Sequence, residues 1–314
     1  MREEACLFGS GHSLVGITSD PAKTPNPLPG VIFLNSGIVH RVGLNRLHVN
    51  LARNLAAKGF VTMRFDFSGI GDSLPRQDGV PFRDSSLSET QEAMNYLVAT
   101  RGISRFIVVG ICSGAETALR VACIDPRVVG VVPVNSRGYL SGPHNSGDSG
   151  LRNRALLRHY WRIAFCSSFQ RKNWLKALTG KVNYRLFARA AGSGFMSFFS
   201  PGKEPGIAAA RGRFQSDVRS LLERGVRMLF IHAEGDEGLD FVEMTLGNEM
   251  RRWSDSKKFR LEVIEGANHT FALLWTQERL LQIICEWIQQ IDDTAQPALN
   301  HGAPGPVPVG RRAS

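Results

Sequence analysis

The chain has 314 residues, 43% hydrophobic and 21% charged. That is enough to bury a sheet covered on both faces, in one globular domain with an inserted subdomain or in two small domains. No run of about eighteen apolar residues is present, which excludes a transmembrane helix. The start, MREEACLFGSGHSLVG, has acids where a signal peptide needs a basic region, so a cytoplasmic location is expected. The net charge of +10 comes from one stretch: residues 137–213 hold 14 Lys/Arg against 2 Asp/Glu, and the remainder is net −2. Cysteines 6, 112, 123, 166 and 285 form no CxxC pair and no metal-ligand spacing. They predict free thiols in a reducing compartment, with no metal or other cofactor.

From the N-terminus, short runs at 5–8 and 14–18 predict an antiparallel hairpin at a sheet edge. Apolar runs rich in Val, Ile and Phe follow at 31–35 (VIFLN), 61–67 (VTMRFDF), 105–111 (RFIVVGI), 128–134 (VVGVVPV), 228–233 (MLFIHA) and 259–264 (FRLEVI). Segments of helical period lie between and after them, at 44–58, 88–100, 113–124, 214–224, 239–252 and 271–291. This alternation predicts an α/β fold with a mostly parallel sheet and helices on both faces. It breaks after Val134. Residues 137–205 carry a Gly/Ser loop at 141–150, then aromatic, Arg-rich helical segments: a helical cap inserted between the sixth and seventh strands. The expected core is therefore 1–136 and 206–291. Residues 292–314, rich in Pro, Gly and Ala, are expected to be a disordered tail.

The strand at 105–111 runs into Gly110-Ile111-Cys112-Ser113-Gly114, and a helix follows at once. Glycine, any residue, nucleophile, any residue, glycine is the pattern of a nucleophile elbow, and strand–turn–helix is the context it needs. The turn is tight enough to strain the nucleophile's backbone, and side chains at the glycine positions would clash. Cys112 stands at the nucleophile position. The helix dipole and a neighbouring histidine are expected to lower its pKa. Ser113 is the rival. Its side chain is expected to point along the helix and its backbone N–H to serve an oxyanion hole.

With these residues, positions 5–291 resemble the α/β-hydrolase superfamily. The resemblance implies the order nucleophile, acid, histidine, with the acid after a late strand and the histidine after the last. Asp236 and His269 fall at those places. His269 would deprotonate Cys112 and later protonate the leaving group. Asp236 would fix the imidazole tautomer. Asp240 and Glu234 stay open as alternative acids, and His232, inside a strand, is expected to serve the core. After the first core strand the superfamily usually has His-Gly, where this chain has Asn35-Ser36-Gly37-Ile38. The second oxyanion donor is therefore Gly37 or Ile38, beside the N–H of Ser113. His40 and Arg41 either line the pocket or cap the next helix. The turn from Phe65 to Ser73 looks structural. Residues 40–73 are similar to the serine-aminopeptidase-like branch, which includes esterases, lipases, thioesterases and acyltransferases.

A cysteine nucleophile makes a thioester acyl-enzyme. Transfer from a thioester donor is then nearly isoenergetic, which favours a thioesterase or acyltransferase in a biosynthetic pathway. An acidic carrier protein or coenzyme A is the expected partner, docking at the basic cap. Trp161 and Phe165 are expected to wall an acyl pocket within that cap. An ester or small-peptide hydrolase with the same residues is the alternative, and a non-catalytic binding protein on the same fold is a third. Nucleic acid is not expected as a partner, because no reading motif accompanies the basic segment.

Overall fold

The computed structural model of the protein describes residues 1–22, 28–138, 205–254 and 258–291. All of the expected cap but residues 137, 138 and 205, including Trp161, Phe165 and most of the basic charge, and the expected disordered tail lie outside the described residues.

The strands are β1 (Arg2–Phe8), β2 (Leu14–Asp20), β3 (Gly30–Leu34), β4 (Thr62–Phe65), β5 (Phe106–Ile111), β6 (Val128–Val134), β7 (Arg227–Ala233) and β8 (Phe259–Ile264). The helices are α1 (Leu47–Ala57), α2 (Phe82–Arg101), α3 (Ser113–Ile124), α4 (Pro205–Glu223), α5 (Glu237–Ser254) and α6 (Leu274–Gln289). One eight-stranded sheet runs in the order β1-β2-β4-β3-β5-β6-β7-β8. β1 pairs antiparallel with β2, and β2 antiparallel with β4. Every pairing from β4 to β8 is parallel. The N-terminal hairpin is thus at the edge, as its short runs predict.

Alternation along the strands builds two cores. Ile32, Leu34, Val108, Val131 and Phe230 face one side, where α2, α3, α4 and α5 cover them. Val31, Phe33, Val109, Val132 and Ile231 face the other, under α1 and α6. All ten are fully buried. Truncating any of the large ones to Ala costs about 2–5 kcal/mol, because the parallel sheet has no solvated face to relax into.

Five of the six helix starts differ from the periodicity: α4 begins at Pro205, not 214, α5 at Glu237, not 239, and three others differ for visible reasons. α2 begins at Phe82, not 88, directly after Pro81. Its first turns are polar, but Ser85 and Ser86 are buried and return hydrogen bonds to the Phe82 and Arg83 carbonyls. Serine hydroxyls bonded back to the helix behave as apolar surface, which hides the helical period. α1 begins only at Leu47, because Asn45 and Arg46 have left-handed backbones (φ 50° and 62°). α6 begins at Leu274 after another left-handed residue, Phe271 (φ 49°).

The strand order also fixes where a site forms. β4 lies on one side of β3 and β5 on the other. The connections leaving β3 and β5 therefore diverge, and a crevice opens at their carboxyl ends. Residues 35–38 and the elbow at Cys112 both emerge there.

Candidate active site

Cys112 sits between β5 and α3 with φ 57° and ψ −114°. A non-glycine residue adopts this conformation only when its surroundings enforce it. The Cys112 N–H donates to the Val134 carbonyl at 2.9 Å, and the Ala115 N–H donates to the Cys112 carbonyl at 3.1 Å. Both glycines of the motif have steric reasons. A Cβ on Gly110 would stand 2.1 Å from the Gly114 carbonyl oxygen, and one on Gly114 would stand 2.6 Å from that of Asn35. β3, β5 and α3 converge here with no room for side chains.

Asp236 follows β7 and His269 follows β8, and the structure brings them together with Cys112. His269 Nδ1 is hydrogen-bonded to Asp236 Oδ2. The hydrogen bond to His269 holds the Cys112 thiol below its ordinary pKa against the opposing effect of burial, and Arg137 and the Ser113 N–H add to the lowering. His269 is pushed up to about 10 by its bonds to Asp236 and then to Cys112. Burial resists ionisation of Asp236, but the imidazoles of His232 and His269 outweigh it and hold the carboxyl well below the usual range. The three groups favour a thiolate–imidazolium–carboxylate arrangement.

Of the three carboxylates weighed for the acid, Asp236 is the one that reaches His269. Glu234 Oε2 accepts the Gly266 N–H at 2.8 Å, and Asp240 is fully buried in α5 one turn beyond Asp236. His232 is buried in β7, as expected of a core residue, but its Nδ1 lies 3.7 Å from Asp236 Oδ1. It therefore backs the site rather than only the core.

On the oxyanion side the structure separates the two candidates. The Gly37 N–H donates to Ser113 Oγ at 2.8 Å. The Ser113 side chain thus turns toward β3 instead of pointing along its helix. For the Ile38 N–H no partner occurs among the described residues, and its side chain is 92% exposed at the crevice rim. Arg41 is engaged with the scaffold. Its Nη1 pairs with Asp66 Oδ2, its Nη2 with Asp72 at 2.6 Å, and its backbone N–H donates to Asp66 at 2.5 Å. His40 Nδ1 accepts the Val42 N–H at 3.3 Å in an exposed turn. The 65–73 turn is held as structural pieces are: Ser73 Oγ donates to the Asp66 carbonyl at 2.6 Å and accepts the Val15 N–H at 2.9 Å.

Two contributors carry no sequence motif. Asn135, fully buried after β6 with φ 49°, donates from Nδ2 to the His269 carbonyl and accepts the Ala233 N–H on Oδ1. A polar residue ending an apolar strand was the available signal. Arg137 pairs with Glu237 at 2.5 Å beside the site. Its nearness to Cys112 depends on β6 lying next to β5, which is a tertiary fact.

The sequence profile of the alpha/beta hydrolase family matches residues 31–281. Among curated protein sequences none matches the chain. Solved structures share the architecture at low identity. An alpha-beta serine hydrolase homologue from Coxiella burnetii is 14% identical, with a TM-score of 0.52 over 93% of this chain and 99% of that one. A dienelactone hydrolase from Anabaena variabilis is 16% identical, with a TM-score of 0.53 over 92% and 97%. A proline iminopeptidase-related protein from Thermus thermophilus is 18% identical, with a TM-score of 0.51 over 92% and 98%. The mostly parallel sheet with helices on both faces is the fold these proteins share. No helix among the described residues is long and apolar enough to cross a membrane.

Proposed function

We propose that this chain, which belongs to the alpha/beta hydrolase family and is an enzyme of hydrolase type, is a cysteine-dependent acyl-transfer enzyme acting on activated acyl thioesters. Cys112 is the nucleophile, His269 the general base and acid, and Asp236 the residue that orients His269. The observation that carries the reading is the state of Cys112. It stands strained at the N-terminus of α3, with its thiol pKa lowered by an imidazole that is itself bonded to a buried carboxylate.

The Cys112 thiolate attacks the donor's carbonyl carbon. A carbon–sulfur bond forms, and the π pair moves onto oxygen, where backbone N–H groups stabilise it. When the tetrahedral adduct collapses, the donor's carbon–sulfur bond breaks and the leaving thiolate takes the His269 proton. The acyl-Cys112 carbonyl is then attacked by water, an amine or an alcohol as His269 removes the acceptor's proton, and its carbon–sulfur bond breaks to release the Cys112 thiolate. Exchange of one thioester for another is nearly isoenergetic, so the first step needs little driving force. An oxygen ester has a poorer leaving group and gains less from a thiolate. The basic stretch 137–213 supports an anionic donor such as coenzyme A or an acidic carrier protein.

The test is competition between matched donors. An acyl-coenzyme A and the oxygen ester of the same acyl group are compared by kcat/KM. Faster turnover of the thioester is expected. Faster turnover of the plain ester sinks this reading and leaves an ester or small-peptide hydrolase.

A further inference from the structure

Ser113 does two things at once in the crevice. Its backbone N–H helps to lower the Cys112 thiol pKa. Its Oγ accepts the Gly37 N–H at 2.8 Å. A serine hydroxyl has two lone pairs and one hydrogen. One lone pair is taken by Gly37, and the hydroxyl hydrogen has no acceptor among the described residues. The Gly37 amide meanwhile has no hydrogen left for a substrate.

We propose that the Ser113 hydroxyl is itself a catalytic oxyanion donor, standing in for the Gly37 amide and polarised by it. This rests on the Cys112 acyl-transfer reading above and adds a residue to it. The Gly37 N–H, the hydroxyl and the substrate oxygen form a chain in which each bond strengthens the next. No proton changes owner along this chain. The hydroxyl hydrogen stays on Ser113 and the negative charge stays on the substrate oxygen until the adduct collapses. The loop that carries Gly37 has nothing within 4 Å of where a Cβ would be, and its neighbour Ile38 projects into solvent. Side-chain packing therefore does not set the Gly37 N–H. Hydrogen bonds do: the Ser113 bond, the local Val39 N–H to Ser36 carbonyl bond at 3.0 Å, and the Asn35 Nδ2 to Val39 carbonyl bond at 2.9 Å. The serine couples the two walls of the crevice and supplies the donor between them.

The experiment compares Ser113→Ala, Ser113→Thr and the unaltered enzyme with an acyl-coenzyme A substrate and an aldehyde inhibitor of matching chain length. The Cys112 thiolate adds to the aldehyde carbonyl, and the resulting hemithioacetal oxygen occupies the oxyanion position without a leaving group. Ser113→Ala is expected to lower kcat on the order of 100-fold with KM little changed, and to weaken the aldehyde by a similar factor. Ser113→Thr, which keeps a hydroxyl, restores most of both. An alanine variant as fast as the parent, or faster, overturns the proposal, because the hydroxyl then only plugs the site. A loss of kcat without loss of aldehyde affinity overturns it as well, since that marks a structural role. If Ser113→Ala melts below the assay temperature, Ser113→Cys, similar in size but a poor donor, takes its place with the same expected losses. Mass spectrometry of the unaltered enzyme separates this from failure of the underlying reading. Absence of acyl-Cys112 there rejects the acyl-transfer account itself, whereas equal acylation of the parent and Ser113→Ala rejects only the hydroxyl.

Discussion

Asn135 donates from Nδ2 to the His269 carbonyl at 2.8 Å and accepts the Ala233 N–H on Oδ1 at 2.8 Å. One buried amide at the end of β6 therefore holds the segments that lead to Asp236 and carry His269. Removing it leaves a buried donor and acceptor unsatisfied. Asn135→Ala is expected to cost about 2–4 kcal/mol, read from urea unfolding. Asn135→Asp buries a carboxylate whose second oxygen faces the His269 carbonyl oxygen with no hydrogen between them, so it should cost at least as much. A change below about 0.5 kcal/mol for the alanine variant would mean that water replaces both bonds.

The elbow glycines make a second prediction. A methyl group on Gly110 meets the Gly114 carbonyl oxygen, and one on Gly114 meets that of Asn35. Both contacts are with backbone, which cannot swing aside. Gly110→Ala and Gly114→Ala should each destabilise by about 3 kcal/mol or fail to fold. Thermal melting decides it, and a wild-type Tm for either variant would show that the crevice is looser than its geometry implies.

Arg41 gives a third. Its guanidinium bridges Asp66, which is fully buried, and Asp72, which is exposed. Arg41→Ala strands the Asp66 carboxylate with only neutral donors, among them Asn35 Nδ2 at 3.2 Å and the Asp72 N–H at 3.3 Å. A loss of about 3 kcal/mol is expected. The Arg41→Ala, Asp66→Asn pair should recover part of it, because a neutral amide needs no counter-charge. Equal losses for the single and double variants in denaturant unfolding would contradict this coupling.

The pH dependence follows from the two shifted partners. His269 is pushed up to about 10 in the folded protein, above its unfolded value of about 6.5. Its contribution to stability is thus complete below about pH 6.5 and is lost as pH rises through about 10. The Asp236 carboxyl is held low, so its contribution is present above the unfolded value of about 3.9 and is lost as pH falls below it. Stability should be greatest between those limits. Because the Cys112 thiol pKa is also lowered, iodoacetamide should alkylate Cys112 at pH values where free thiols are largely protonated. His269→Ala should move that alkylation profile to higher pH, and an unmoved profile would remove His269 as the cause.

The sheet was legible because its strands are nearly continuous apolar runs bounded by turn residues, and all eight appear where those runs lie. The elbow was legible because Gly110 and Gly114 bracket Cys112 between a strand and a helix. Helix starts were less so: the buried serines at 85 and 86 fall before the helical period that begins at 88, and the left-handed backbones at Asn45, Arg46 and Phe271 leave no mark in a hydrophobic period. Spacing left Asp236, Asp240 and Glu234 open, since all follow one strand within seven residues. Only the fold of the loop after β8 decides which of them meets His269. The engagement of Arg41 by Asp66, and of the Gly37 amide by Ser113, depends on contacts between residues 25 and 76 positions apart. Those are set by strand order, which no local pattern encodes.

The proposed chemistry depends on acylation of Cys112 by a thioester. Intact mass spectrometry after brief incubation with an acyl-coenzyme A, followed by peptide mapping, tests it most directly. One acyl increment is expected on the peptide carrying Cys112, absent in Cys112→Ala and removed by hydroxylamine. Turnover of the thioester by the Cys112→Ala variant at the parent rate, or an increment that maps to Ser113, would contradict it.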